Sequence, residues 1–172
     1  MDDYRIDVER LAQERTGEPF YNSSIDHAAV IIEKIFRHAK SDVSIITKRL
    51  NGRVFGQDEV TQELEGYLSD AGHKVRILLE DDPSVLSEGH AFVRVLKNHP
   101  QSFEVKRLST EALPHVDYHF TLADDDTYRF EPNKNEWVAV AAFGDLKGAE
   151  RLRSVFDSLW AMSDPVELPA SA

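Results

Sequence analysis

The sequence predicts a mixed α/β fold, a mostly parallel sheet with helices on both faces. Three observations carry that prediction. Helical and strand patterns alternate from residue 24 to residue 108, which calls for crossover helices between parallel strands. Strand patterns then follow one another from 119 to 144, which adds antiparallel pairing. A last amphipathic helix, 146–161, closes the domain.

Residues 1–22 carry a short helical pattern (Ile6, Val8, Leu11) and a Gly-Glu-Pro break at 17–19; they read as an N-terminal arm packed on the domain or on a partner. Ser23 or Ser24 then caps a helix whose apolar positions Ile25, Ala28, Ile32, Ile35, Phe36 and Ala39 recur at helical spacing. DVSIIT (42–47) follows as a strand, and 58–71 as a helix with Val60, Leu64, Tyr67 and Leu68 on one stripe. Gly72 stands where that helix stops. KVRILLE (74–80) is a strand bounded by Asp81-Asp82-Pro83, and 85–98 a helix that ends before Pro100. SFEVKRL (102–108), HFTLAD (119–124), TYRFEP (127–132) and WVAVAAFG (137–144) read as strands, the middle two joined by a tight acidic turn. The last helix places Leu146, Ala149, Leu152, Val155, Phe156, Leu159 and Trp160 inward. The organisation is therefore an arm (1–22), one α/β domain (23–162) and a small, proline-bearing tail (163–172) expected to be disordered.

With 172 residues the chain is large enough for a real core. A mean hydropathy of -0.42 and no apolar run near the roughly 18 residues a bilayer requires exclude a helical membrane span. The acidic start MDDYRIDVERL is not a secretory signal. No cysteine is present, which excludes thiolate metal sites and cysteine nucleophiles and fits a cytoplasmic setting. Twenty basic against 31 acidic residues give a net charge of -11, a surface that repels phosphate backbones and disfavours direct nucleic-acid binding.

The stretch DYHFTLADDDTYRF (117–130) has the densest chemistry: a histidine inside an alternating strand, an acidic cluster, then an arginine. Together with AAFGD (141–145) and FDSLW (156–160), its order of elements resembles one half of the phospholipase D superfamily. The signature of that superfamily is His-x-Lys-x4-Asp on a strand, a hairpin return, a strand ending in Gly-Ser-x-x-Asn, and a helix ending in a Phe-x-x-x-Trp-like pattern. The resemblance covers residues 24–162, but the catalytic pair does not carry over. With Asp124 as the motif aspartate, the histidine position holds Asp117 and the lysine position His119. With His119 as the motif histidine, the lysine position holds Thr121 and the aspartate is Asp126. The resemblance implies a histidine that attacks phosphorus among preorganised cations; Asp117, Asp124, Asp125 and Asp126 would oppose the phosphate instead.

Other groupings are weighed beside this one. His119 with Asp124 or Asp126 gives a catalytic or metal-binding alternative, while a buried strand histidine and an acidic hairpin turn explain the same residues structurally. Asp82, Glu104 and Lys106 match the minimal pattern of a magnesium-dependent nuclease. The stretch TKRLNGRVFG (47–56) follows the first strand, where open α/β sheets place their ligands; Lys48, Arg49, Asn51 and Arg53 there, with Arg129, form a candidate anion- or partner-binding set, against the simpler reading of a solvated basic loop. Trp137 and Trp160 read as core. The expected function is a non-catalytic, regulatory phospholipase D-like interaction module without cofactor. A homodimer is expected, because the superfamily builds one site from two halves, or else a basic protein partner such as a nucleic-acid-related bacterial enzyme. A phosphodiesterase or nuclease, and an anion- or lipid-headgroup-binding module, are the alternatives.

Overall fold

The computed structural model describes residues 1–86 and 89–169. Helix α1 (Asp2–Glu14) leads to a short strand β1 (Phe20–Asn22) and helix α2 (Ile25–His38). Ser24 caps α2, its hydroxyl accepting the His27 N–H at 3.1 Å. The units β2 (Asp42–Thr47), α3 (Asp58–Ser69), β3 (Lys74–Leu79), α4 (Ala91–Asn98) and β4 (Phe103–Arg107) follow in alternation. The chain then turns back through β5 (His119–Ala123), β6 (Thr127–Glu131) and β7 (Ala139–Phe143), and ends in α5 (Leu146–Ala161) and β8 (Asp164–Pro165).

Among the described residues these strands form one sheet of order β1-β7-β6-β5-β2-β3-β4-β8. Only β2–β3 and β3–β4 pair in parallel; the other five pairings are antiparallel, so the expectation of a mostly parallel sheet is corrected to a mostly antiparallel one. Crossover helices join only the two parallel pairs, and from β5 onward short turns impose antiparallel returns.

Helices do cover both faces. α1 to α4 pack on one side against Val43, Ile45, Val75, Ile77 and Ala141. On the other side α5 sets Ala149, Phe156 and Leu159 against Phe120, Leu122 and Ala142. α1 covers the outer side of α2, which is why α2 is buried nearly all round, Glu33 and Lys34 included. Gly144, at φ 94, ends β7 where the arm returns: a Cβ there would lie 2.2 Å from the Arg15 carbonyl oxygen.

The arm packs on the domain, where Phe20–Asn22 pairs with β7. The tail differs from expectation: Asp164–Pro165 pairs with β4, with Val166 and Leu168 packed on the core. Residues 170–172 of that tail lie outside the described residues. The helix expected over 85–98 begins at Ala91, preceded by a 3-10 turn at Pro83–Val85 that Asp82 caps through the Ser84 N–H; residues 87 and 88 lie outside the described residues. Leu146, expected inward, is exposed in the first turn of α5.

Candidate functional site

The carboxyl end of β2 and the start of the antiparallel β5 lie side by side, because Ile46 pairs with Phe120. His119 therefore emerges beside the loop that follows Thr47, where open α/β sheets bind ligands. On the next strand Glu131 pairs with His119 and Arg129 with Thr121. Strand alternation turns these four side chains toward the α2 face. They meet a cavity of about 230 Å³ walled by Ile32, Val54 and Phe55 and rimmed by Lys48, Arg49, Asn51, Asn135 and Trp137.

The buried polar groups form one network. His119 Nε2 donates to Glu80 Oε1 at 2.7 Å, and its Nδ1 lies 3.6 Å from Glu131 Oε2. Ionised carboxylates accept and cannot donate, so one on each side of the ring favours the form that carries both protons. Burial acts against the charged ring, but Glu131 and Glu80 outweigh it and hold the His119 pKa above its ordinary 6.5. Glu80 and Glu131 are likewise buried, yet His119 with Lys134 for the first, and His119 with Arg129 for the second, hold both below the usual carboxylate value. Lys134 Nζ sits 3.0 Å from Glu80 Oε2 and donates to the Val116 carbonyl at 2.7 Å. Arg129, only 5% exposed, donates Nε to Asn22 Oδ1 at 3.2 Å and Nη1 to Glu131; its buried Nη2 has no partner among the described residues.

Of the residues singled out in the sequence, the cavity gathers His119, Arg129, Lys48, Arg49 and Asn51. Arg49 also pairs with Asp81 at 2.7 Å. Arg53 does not line the cavity; its N–H closes a turn onto Asn51 Oδ1. Asp124 and Asp126 stand at the opposite end of β5, about 16 Å along the strand from His119. There Asp124, at φ 51, accepts the Lys40 and Ser41 N–H groups at 2.9 Å each and the Ser41 hydroxyl at 3.0 Å, and Asp126 pairs with Arg15. The grouping of His119 with Asp124 and Asp126 is thus replaced by His119 with Glu80 and Glu131. Asp145, in the stretch likened to Gly-Ser-x-x-Asn, caps α5 through the Gly148 N–H and accepts the Tyr128 hydroxyl at 2.7 Å.

The magnesium set does not assemble. Asp82 pairs with Arg107 at 3.2 Å near the carboxyl end of β4, Glu104 lies three residues away toward the other end, and Lys106 Nζ turns to the Trp160 carbonyl at 3.0 Å. Among the described residues no group of three His, Asp or Glu side chains has the geometry to hold a metal ion. Sequence reasoning missed Glu80, Lys134 and the exposure of Trp137, which sits 39% exposed at the cavity mouth instead of in the core. Glu80 had a usable signal, since it directly follows β3, the strand parallel to and adjoining β2.

Residues 24–168 match the family described as a domain of unknown function, DUF7931. No curated protein matches the chain. Among solved structures the fold is shared with the phospholipase D family member Nuc from Salmonella typhimurium, at TM-score 0.60 and 16% identity over 87% of this chain and 99% of that one. It is shared equally with NucT from Helicobacter pylori, at TM-score 0.61, 14% identity and the same coverages. TrmBL2, described as an archaeal chromatin protein with a novel mode of DNA binding, superposes at TM-score 0.62 and 14% identity over 86% of this chain, which spans 53% of that protein. The fold is phospholipase D-like. Among the described residues no helix is long and apolar enough to cross a membrane.

Proposed function

The chain belongs to the DUF7931 family, and we propose that it is a phospholipase D-fold recognition module that does not hydrolyse phosphodiesters. One observation carries this reading: both ring nitrogens of His119 face carboxylates. A histidine nucleophile attacks through a free lone pair, and a ring whose two nitrogens both face carboxylates has neither edge open to a phosphorus centre. The charge of the pocket points the same way. Transfer of a phosphoryl group gathers negative charge that surrounding cations must meet. Here His119, Arg129 and Lys134 are already opposed by Glu80 and Glu131. With a net charge of -11 the module suits a basic protein surface; a second copy is the other partner, because phospholipase D-like halves pair to build one site.

The test is hydrolysis of bis(p-nitrophenyl) phosphate and of labelled single- and double-stranded DNA, with magnesium, with manganese and with EDTA. No turnover is expected under any of these conditions. EDTA-resistant cleavage that disappears in His119→Ala would overturn the reading. For the pairing, light scattering at micromolar protein should give a dimer or a stable complex with a basic protein; a lone monomer without co-purifying protein would refute it.

A further inference from the structure

We infer that the N-terminal arm, residues 1–22, is a strap that closes on the candidate site. Docked, it fixes Arg129 and the Trp137 segment; undocked, it swings away as a unit while the rest of the domain stays folded. This goes beyond the recognition role proposed above and does not depend on it.

One set of contacts ties the strap to the site. Asn22, buried on β1, accepts the Arg129 Nε–H at 3.2 Å and donates its Nδ2 to the Trp137 carbonyl at 3.3 Å. A single side chain of the arm thus joins β6 to the segment that forms the cavity mouth. Helix α1 reaches the same place: burial pushes the Tyr4 phenol up to about 12, with the charge of Arg129 acting the other way, and its ring stacks on His27 at 3.7 Å.

A second set holds the strap down, and it is mostly ionic. Arg5 pairs with Glu33 and lies 3.6 Å from Glu59; Glu9 meets Lys34 at 2.9 Å, Arg37 at 3.2 Å and His38 at 2.8 Å; Arg15 pairs with Asp126. Of the thirteen residues of α1 only Val8 and Ala12 are fully buried. A helix of that length is marginal without apolar backing, and the pairs made by the partly exposed Arg5, Arg37 and Glu59 hold it weakly. β1 is three residues long and pairs on one side only, whereas β2 and β3 pair on both. Units with few buried apolar contacts are those that open below the free energy of global unfolding. The hinge is Ser23, exposed between β1 and the Ser24 cap of α2. Opening there takes the acceptor from Arg129 Nε, frees the Trp137 carbonyl and leaves β7 as the edge of the sheet. The mouth is complete only with the strap down, so by linkage whatever grips the mouth also holds the strap closed.

The test is native-state hydrogen exchange of the full chain in urea below its unfolding transition, by mass spectrometry for the backbone and by NMR for the Arg129 Nε–H. The amides of α1 and β1 should exchange through one shared opening whose urea slope is well below that of β2 and β3, because little surface is exposed. The Arg129 Nε–H should follow the slope of α1. Asn22→Ala should speed exchange of that Nε–H about tenfold or more. Amides of α1 that exchange only with the slope of β2 and β3 would overturn the inference. So would an Arg129 Nε–H that keeps the global slope while α1 opens, or one unchanged in Asn22→Ala. Turnover of a phosphodiester would sink the non-catalytic reading and leave this exchange result standing.

Discussion

Lys34→Met is the sharpest probe of how the N-terminal arm is held. Lys34 lies on α2 under α1, its side chain 3% exposed, with Nζ 2.9 Å from Glu9 of α1 and 2.9 Å from Glu33. Methionine keeps the length and the apolar stem and deletes only the charge. What remains is two carboxylates facing each other in a largely dry seam, opposed by Arg5 on Glu33 and by Arg37 at 3.2 Å from Glu9. Removing one partner of a buried ion pair costs about 3–5 kcal/mol, and the two arginines place this case near 3 kcal/mol. For a domain of this length that is a fall in Tm of about 6–12 °C. Urea unfolding followed by circular dichroism should show a lower midpoint at unchanged slope. Acid supplies a second readout. Burial pushes the Glu9 carboxyl upward, but the hydrogen bonds from Lys34 and His38 outweigh it and hold the pKa at about 2 instead of 4.5. A depressed carboxylate stabilises the fold above about 4.5, and that contribution is lost as pH falls toward 2. In Lys34→Met the slope of stability with pH in that window should flatten. A loss under about 1 kcal/mol with the slope intact would show that the seam behaves as a solvated surface pair, and the reasoning would fail.

Other outcomes follow from the same contacts. Asp124→Ala removes the acceptor for three donors of residues 40 and 41 and places alanine at φ 51, so it should cost about 2–3 kcal/mol by denaturant titration. Gly144→Ala sets a methyl group against the Arg15 carbonyl and should cost about 2 kcal/mol or more; a neutral outcome in a thermal melt would mean that the arm does not close on β7 there. The His119 ring, followed by its Hε1 proton resonance, should titrate above 6.5. Because that pKa is raised, its contribution to stability is full below 6.5 and is lost as pH rises through the folded value, so a midpoint under 6.5 would break the assignment of the two carboxylate partners.

The elements that were legible are those with local periodicity. The Ser24 cap, the stripes of α3 and α5, and the β5–β6 hairpin all declare themselves within a dozen residues. β1 and β8 do not, because three and two residues are too few to show alternation, and both are recruited by strands distant in sequence. The same limit hid most of the site. Arg129 was visible as a candidate, but its anchor Asn22 lies 107 residues away, and the partner of His119 at Glu80 lies 39 residues away. The acidic run beside His119 was the misleading signal. Asp124 and Asp126 are near it in sequence, yet an extended strand carries them to the far end of the sheet, where they tie down the turn before β2 and the arm.

Recognition without cleavage and hydrolysis of a phosphodiester make opposite demands on the residues around His119. A catalytic histidine must exchange its proton during each cycle, which requires a pKa near the working pH and one nitrogen free to reach the substrate. Glu80 and Glu131 bear on the second condition, since they stand at both edges of the ring, and they hold its pKa above the ordinary 6.5. Lys134 and Arg129 in turn keep those carboxylates ionised, so each charge fixes the state of the next. A chain locked in this way is a poor relay for protons. It is better suited to recognition, because no group of the network has to change its protonation when a partner is met.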